Sequence, residues 1–202
     1  NLSVAFLIMS GGLGFAVWID LIQMIRCYIK DRPRNWKLAS RPFSNQSRLV
    51  LISTSCLLLG GTLLAWFLEM DNSKTIGTLN VWQQLLVSFF QTVTMRTAGF
   101  ATISYTNADF STNLLFMIQM IIGGGPGGTA GGLKTTTFAL LFLAFHTMLR
   151  GGHDIECFQR KVAEDSFRVA FVTFMLALGI YVTGTTVIAV IEPDTISLQK
   201  IM

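Results

Sequence analysis

Two short segments of this 202-residue chain have residue types and spacings that indicate a functional site. In both segments the functional groups would be those of the backbone rather than of side chains. The first is Arg96-Thr-Ala-Gly-Phe-Ala-Thr102, in which Gly99 permits backbone angles that other residues avoid. Carbonyl oxygens left unpaired at membrane depth can replace the hydration shell of a potassium ion. The segment therefore predicts a cation site if it lies within a membrane, and an external turn at Gly99 if it does not.

The second segment is a glycine cluster, in which seven of the ten residues from Gly123 to Gly132 are glycine. Pairs spaced four apart, such as Gly124 and Gly128, would suit close packing between helices. Packing alone does not explain Pro126, which interrupts a helical hydrogen-bond ladder, or the three successive glycines. A non-helical loop that lines an aqueous cavity explains all of these features.

Lys134 follows directly after this cluster and Leu133. A lysine in the middle of a bilayer costs about 2.5 to 3.5 kcal/mol on insertion scales, so its side chain is expected to face a cavity or a partner. The alternative is a side chain that snorkels to the interface, which the long apolar run from Lys134 to Leu149 disfavours. From a position behind the glycine cluster, the charge or the hydrogen bonds of Lys134 would hold a loop formed by the cluster closed and would oppose the passage of cations.

The elements that must position these segments are membrane helices, as the composition indicates. Hydrophobic residues make up 51% of the chain and charged residues 13%, about half the charge of an ordinary soluble domain. This balance excludes a soluble enzyme, and we expect no enzymatic activity because the sequence carries no catalytic dyad or set of metal ligands. Three charge-free blocks, residues 1–19, 49–68 and 169–191, are each long enough to cross a bilayer.

Most basic residues lie in two connections, residues 26–48 and 150–168. Because basic loops are retained in the cytoplasm, both connections are assigned to that side of the membrane. The formal net charge of +4 then reflects topology, and no nucleic-acid partner is expected.

Two cytoplasmic connections require an even number of crossings between them. Residues 49–68 supply one crossing, so residues 75–149 must supply an odd number. In the preferred arrangement, residues 81–95 form a short helix that dips into the membrane and residues 96–102 return as an extended loop. Residues 110–149 then cross once as a broken helix.

A second arrangement lets residues 75–95, 110–122 and 133–149 cross separately. Its weak point is the segment 110–122, which as a helix reaches only about 20 Å, short of the hydrocarbon core. Polar side chains between residues 81 and 95 also disfavour contact with lipid. They are Gln83, Gln84, Ser88, Gln91, Thr92 and Thr94.

Taken together, Arg96–Thr102 and the later motif Gly123-Gly-Gly-Pro-Gly-Gly-Thr-Ala-Gly-Gly-Leu-Lys-Thr-Thr-Thr137 resemble the third repeat of the Trk/Ktr/HKT superfamily of potassium transporters, most closely the Ktr membrane subunit. The opening Gly11-Gly-Leu-Gly-Phe15 is similar to the helix that ends the second repeat in that family. The resemblance implies an all-α integral membrane protein built from helix, pore-loop, helix repeats as in potassium channels, with one glycine-broken helix. It covers nearly the whole chain, which we therefore expect to be a fragment of a longer protein.

The resemblance also implies an order of segments. These are the inner helix of repeat two (1–29), a cytoplasmic basic loop (30–48), repeat three (49–149), a second cytoplasmic loop (150–168), the outer helix of repeat four (169–191) and the extracellular start of the fourth pore region (192–202). Repeat three would comprise an outer helix (49–68), a pore helix (81–95), a filter (96–102) and a broken inner helix (110–149).

The family's functional residues map onto both motifs. One quarter of a selectivity filter would come from Thr97, Ala98, Gly99 and Phe100. The gate would comprise Gly123, Gly124, Gly125, Pro126, Gly127, Gly128, Thr129 and Lys134.

The implied function is potassium uptake across the plasma membrane, with sodium coupling left open. No cofactor or resident metal is expected in this chain beyond the transported potassium. The implied partners are a second copy of the chain, forming a homodimer, and a cytosolic nucleotide-binding ring of the RCK/KTN type.

Two alternatives remain at this point. A secondary transporter would bind its substrate at the broken helix and would carry a second matching break, of which the sequence gives no sign. A non-transporting membrane scaffold would tolerate the loss of both glycine motifs.

Overall fold

The computed structural model describes residues 2–31, 44–96, 98–151, 156–157, 160–161 and 164–191. Over these ranges the fold is all-α, with a single two-residue antiparallel ladder. The helices are α1 (Leu2–Leu13), α2 (Phe15–Asp31), α3 (Asn45–Glu69), α4 (Val81–Thr94), α5 (Phe110–Ile121), α6 (Thr135–Leu149) and α7 (Glu164–Ile191). The ladder pairs β1 (Glu156–Cys157) with β2 (Arg160–Lys161). The expected segments 30–48 and 150–168 lie partly, and 192–202 wholly, outside the described residues.

Helices α3 and α7 are each long and apolar enough to cross a membrane, and the pair α1 and α2 would make a third span if it counts as one. That pair is bent by 98°. The segment expected to be the inner helix of repeat two, residues 1–29, therefore consists of two helices in this structure. Gly14 adopts a φ of 88°, and the Phe15 N–H donates to the carbonyl of Gly127 at 3.3 Å instead of continuing the helix.

Helix α4 places its polar side against protein. At its start, the Asn80 backbone N–H donates to Oε1 of Gln83 at 3.4 Å. The polar residues of α4 that are buried are Gln84, Ser88, Gln91, Thr92 and Thr94. Their burial explains how an apolar chain accommodates a short helix with so many polar groups, because none of them needs to face lipid.

The core beside α4 joins four parts of the chain. It is a cluster of buried apolar side chains: Ala65, Ile76, Met95, Ile103 and Phe116. Ala65 comes from α3 and Phe116 from α5, whereas Met95 and Ile103 flank the loop that follows α4. This loop is therefore anchored in apolar packing at both of its ends.

Glu69, the last residue of α3, is fully buried and links the chain on either side of α4. Its carboxylate accepts hydrogen bonds from Nδ2 of Asn72 at 2.9 Å, from Oγ1 of Thr75 and from the backbone N–H of Asp109 at 2.8 Å. Since Asp109 is the N-cap of α5, one side chain fixes both the turn after α3 and the start of α5.

The glycine cluster interrupts the helix of residues 110–149, as the sequence predicts. Helix α5 ends at Ile121 and α6 begins at Thr135. The ends of the interruption pair with each other: the Gly123 N–H donates to the Leu133 carbonyl at 2.9 Å, and the Leu133 N–H donates to the Ile121 carbonyl at 3.0 Å. We call residues 122–134 the glycine loop. Together with Gly14, it makes two helix breaks in the described chain, where the sequence predicted one.

Candidate functional site

The segment that follows α4 leaves the helix within a few residues. The Ala98 N–H still donates to the Thr94 carbonyl at 3.0 Å, and Gly99 then takes a φ of 79°. A Cβ added at Gly99 would meet nothing within 4 Å, so the need for glycine comes from the backbone angle and not from crowding. Thr97 lies outside the described residues.

The carbonyl oxygens of this segment are available for a ligand. Across the described part of the chain, no hydrogen bond ends on the carbonyl of Ala98, Gly99 or Phe100. The Phe100 side chain is also 54% exposed. In a membrane protein such oxygens need a partner, since an unpaired carbonyl in lipid costs several kcal/mol.

The far end of the segment is tied back to α4 by Gln91. Its Oε1 accepts from the backbone N–H and from Oγ1 of Thr102, both at 2.9 Å, and from the N–H of Ile103 at 3.3 Å. The Gln91 side chain is fully buried. The described residues 98–101 are thus held between the end of a helix and a hydrogen-bonded anchor.

Arg96 connects this segment to the glycine loop. Its Nη2 donates to the Gly123 carbonyl at 2.9 Å. Arg96 also lines a small cavity together with Thr92 and Gln119. Two buried polar atoms beside this cavity, Nε of Arg96 and Oε1 of Gln119, have no partner among the described residues.

The glycine loop lies against the break between α1 and α2. Its Gly125 N–H donates to the Gly12 carbonyl at 2.7 Å and its Thr129 N–H to the Gly11 carbonyl at 3.2 Å. The Phe15 N–H donates in the opposite direction, to the loop carbonyl of Gly127. Three backbone hydrogen bonds therefore join the two helix breaks.

Close backbone approach explains why this contact is rich in glycine. A Cβ at Gly124 would lie 2.6 Å from the Gly12 carbonyl oxygen, and one at Gly125 would overlap the Leu13 carbonyl oxygen. A Cβ at Gly14 would in turn overlap the Pro126 carbonyl oxygen. Main chain packs directly on main chain here, so a larger residue would push the loop away from α1.

Lys134 turns back into the glycine loop. Its Nζ donates to the Ala130 carbonyl at 3.0 Å. The side chain is half-buried, and its charge thus lies beside the loop that the sequence analysis assigned to a gate.

The structure brings both sequence-predicted motifs together and adds two features that the sequence analysis missed. The first is the contact of the glycine loop with residues 11–15. Gly11, Gly12 and Gly14 interrupt an apolar block and were a usable signal for it. The second is the anchoring role of Gln91, which in the sequence is only one of several polar residues of the helix. A glutamine on a helix gives no sign of which backbone groups it will meet.

Comparison with known proteins places these features in a family. The profile of the TrkH family, described as "Cation transport protein", matches residues 1–200. The chain is 36% identical over 162 residues to the "Ktr system potassium uptake protein B" of Vibrio alginolyticus, covering 80% of this chain and 33% of that protein. It is 34% identical over 200 residues to the "Potassium/sodium uptake protein NtpJ" of Enterococcus hirae, covering 98% of this chain and 41% of that protein.

A solved structure shares the fold. The crystal structure of the potassium transporter TrkH from Vibrio parahaemolyticus matches with a TM-score of 0.70 at 15% sequence identity, over 98% of this chain and 41% of that chain. The present chain thus spans between 33% and 41% of the length of these proteins. The likeness establishes an all-α arrangement with pore-loop helices.

Proposed function

Because the chain belongs to the TrkH family of cation transport proteins, we propose that it forms part of a potassium uptake path across the plasma membrane. The family consists of transport proteins and not of enzymes, and its members are multi-pass membrane proteins, as the apolar helices of this chain require. In this proposal the chain supplies one quarter of a selectivity filter and one gating loop, and the rest of the path comes from further repeats.

The proposed filter comprises Thr97, Ala98, Gly99 and Phe100. The observation that carries this assignment is the set of unpaired carbonyls at the last three positions, between a helix end and the Gln91 anchor. A potassium ion that has lost its water would satisfy such oxygens, as carbonyl rings do in channels. The negative end of the α4 dipole precedes the segment and favours a cation there.

The proposed gate is the glycine loop, with Gly123, Gly124, Gly125, Pro126, Gly127, Gly128, Thr129 and Lys134 as its functional residues. Its support is the docking of the loop on residues 11–15 and the Arg96 bond to Gly123. In this position the loop is held by backbone bonds and by Lys134, whose positive charge would oppose a cation. Opening would require the loop to leave its contacts with α1 and α2.

The second helix break invites a comparison with secondary transporters, which bind substrates where two broken helices meet. At such sites the freed backbone groups remain available for the substrate. Here the breaks satisfy each other, because Gly125, Thr129 and Phe15 donate across the contact. This arrangement favours the interpretation of the glycine loop as a gate that closes a path, and it argues against a substrate site at the two breaks.

The proposal includes two partners. A second copy of the full-length protein would form a homodimer, and a cytosolic nucleotide-binding ring of the RCK/KTN type would control the gate from the side of the basic segments 30–48 and 150–168. The transported ion needs no cofactor in this chain. The name of one relative mentions potassium and that of the other mentions potassium and sodium. Whether sodium is coupled to potassium uptake must therefore be measured.

Rubidium uptake by the full-length protein in liposomes, measured with and without competing sodium, tests both assignments. Gly99→Ser should lower the preference for rubidium over sodium, because serine resists a φ of 79°. Gly179→Ser is the matched control, since a Cβ at Gly179 in α7 meets nothing within 4 Å.

Deletion of residues 124–128 tests the gate and should leave uptake independent of the regulatory partner. Unchanged uptake in both variants would favour a scaffold and overturn the proposal.

A further inference from the structure

We propose that Gln91 is a positioning residue that sets the ion selectivity of the path, acting through Thr102 and Ile103. The inference rests on the proposed filter and concerns a residue outside it. Gln91 lies on the last turn of α4, six positions before Thr97, the first proposed filter residue.

The hydrogen bonds fix the orientation of the Gln91 amide. A backbone N–H can only donate, so the group that faces the N–H of Thr102 and of Ile103 must be the oxygen. The amide nitrogen then points to the opposite side, where it donates to Oη of Tyr105 at 3.0 Å. Both ends of the side chain are therefore occupied, and the amide has one orientation available.

The backbone of Gln91 is fixed as well. Its carbonyl accepts from the Met95 N–H at 3.0 Å and from Oγ1 of Thr94 at 2.9 Å. The same residue thus closes the helix end that leads into the filter and holds the chain that leaves it. Gln91 therefore bonds to one limb of the segment through its backbone carbonyl and to the other through its side-chain amide.

The burial of Gln91 makes these bonds effective. The side chain has 0% exposure, so water does not compete for its amide, and a lost partner would leave a buried group unpaired. Among the described residues, no hydrogen bond holds the carbonyl oxygens of Ala98, Gly99 and Phe100 in place. Their spacing consequently depends on where Thr102 and Ile103 are held, as supporting residues set the precision of a binding site.

The test is the selectivity of Gln91→Met, which keeps the length of the side chain and removes its hydrogen bonds. In the full-length protein in liposomes, we expect the preference for rubidium over sodium to fall by roughly tenfold, equivalent to about 1.4 kcal/mol, while rubidium uptake itself persists. Gln84→Met is the matched control. Gln84 is also buried on α4, but its side chain bonds to Trp66 and to the Leu79 carbonyl, so its loss should leave selectivity unchanged.

A milder variant decides the matter if Gln91→Met does not assemble. Tyr105→Phe removes only the partner of the Gln91 amide nitrogen, and we expect about a two- to threefold loss of selectivity, less than one full hydrogen bond would give. Wild-type selectivity in the variant that assembles would overturn the inference, as would an equal loss in Gln84→Met. Gly99→Ser separates this failure from that of the proposed function. If Gly99→Ser loses selectivity while Gln91→Met does not, the filter stands and the role of Gln91 falls.

Discussion

The guanidinium of Arg96 donates from Nη2 to the carbonyl oxygen of Gly123 at 2.9 Å. This bond joins the residue that precedes the proposed filter to the first residue of the proposed gate, twenty-seven positions later. The two functional segments are thus in direct contact, without an intervening helix. A displacement of the glycine loop at Gly123 would break the bond and leave a half-buried guanidinium with fewer partners.

The first prediction concerns this bond. Arg96→Met keeps most of the side-chain volume and removes the donor, so the glycine loop should be less firmly held and uptake without the regulatory partner should rise. An increase of about three- to tenfold corresponds to about 0.6 to 1.4 kcal/mol, the net value of a typical intramolecular hydrogen bond. Arg26→Met, at an exposed position of α2, is the control. Equal basal uptake in the two variants would contradict a role for Arg96 in holding the loop.

The second prediction concerns the packing of main chain on main chain. Gly125→Ala would bring a Cβ against the Leu13 carbonyl oxygen and to 3.0 Å from Cγ1 of Val50. We expect the free energy of unfolding to fall by about 1 to 3 kcal/mol, as for other overpacked sites, together with higher basal uptake. The melting temperature of the purified full-length protein in detergent measures the first effect.

The control for that substitution lies on the other side of the same contact. Gly12→Ala adds a Cβ that meets nothing within 4 Å, and alanine favours a helix over glycine. Its melting temperature should match or exceed that of the wild type. If Gly12→Ala and Gly125→Ala melted at the same temperature, close approach would not explain the glycine content of the loop.

Much of this arrangement could be predicted from the sequence, because local chemistry decides it. The glycine cluster with Pro126 cannot continue a helix, and it does end α5 at Ile121. The polar residues of α4 indicated a helix that avoids lipid, and Gln84, Ser88 and Gln91 are buried. The all-α fold and the membership in a potassium-transporter superfamily were also predicted correctly.

The contacts between distant segments could not be predicted in the same way. The bend at Gly14 depends on the Gly127 carbonyl, which accepts the Phe15 N–H, and residues 1–19 alone resemble an ordinary apolar span. The burial of Glu69 depends on donors as far along the chain as Asp109. Charge and hydropathy patterns describe each segment by itself, whereas these features arise from pairs of segments.

The third prediction concerns the charge beside the gate. Lys134→Met removes both the positive charge and the bond from Nζ to the Ala130 carbonyl. Because a cation near the path would then meet less repulsion and a less restrained loop, uptake without the regulatory partner should rise by about three- to tenfold. Lys74→Met removes the same charge at an exposed position after α3 and should leave uptake unchanged. A rise in Lys74→Met as large as that in Lys134→Met would point to a general effect of net charge.

The fourth prediction separates stability from selectivity. Glu69→Gln replaces a buried carboxylate that takes three donors, from Asn72, Thr75 and Asp109. The amide keeps one acceptor oxygen and turns an N–H₂ group toward donors, so the free energy of unfolding should fall by about 1 to 3 kcal/mol. Thermal unfolding in detergent measures this loss.

Asp71→Asn is the appropriate control for Glu69, since it makes the same chemical change at an exposed position two residues later. Its melting temperature should stay at the wild-type value. The ratio of rubidium to sodium uptake should be unchanged in Glu69→Gln, because the carboxylate fixes the turn after α3 and the start of α5 but makes no hydrogen bond to the described filter residues. A loss of selectivity in Glu69→Gln without a loss of thermal stability would show that the carboxylate acts on the ion path itself.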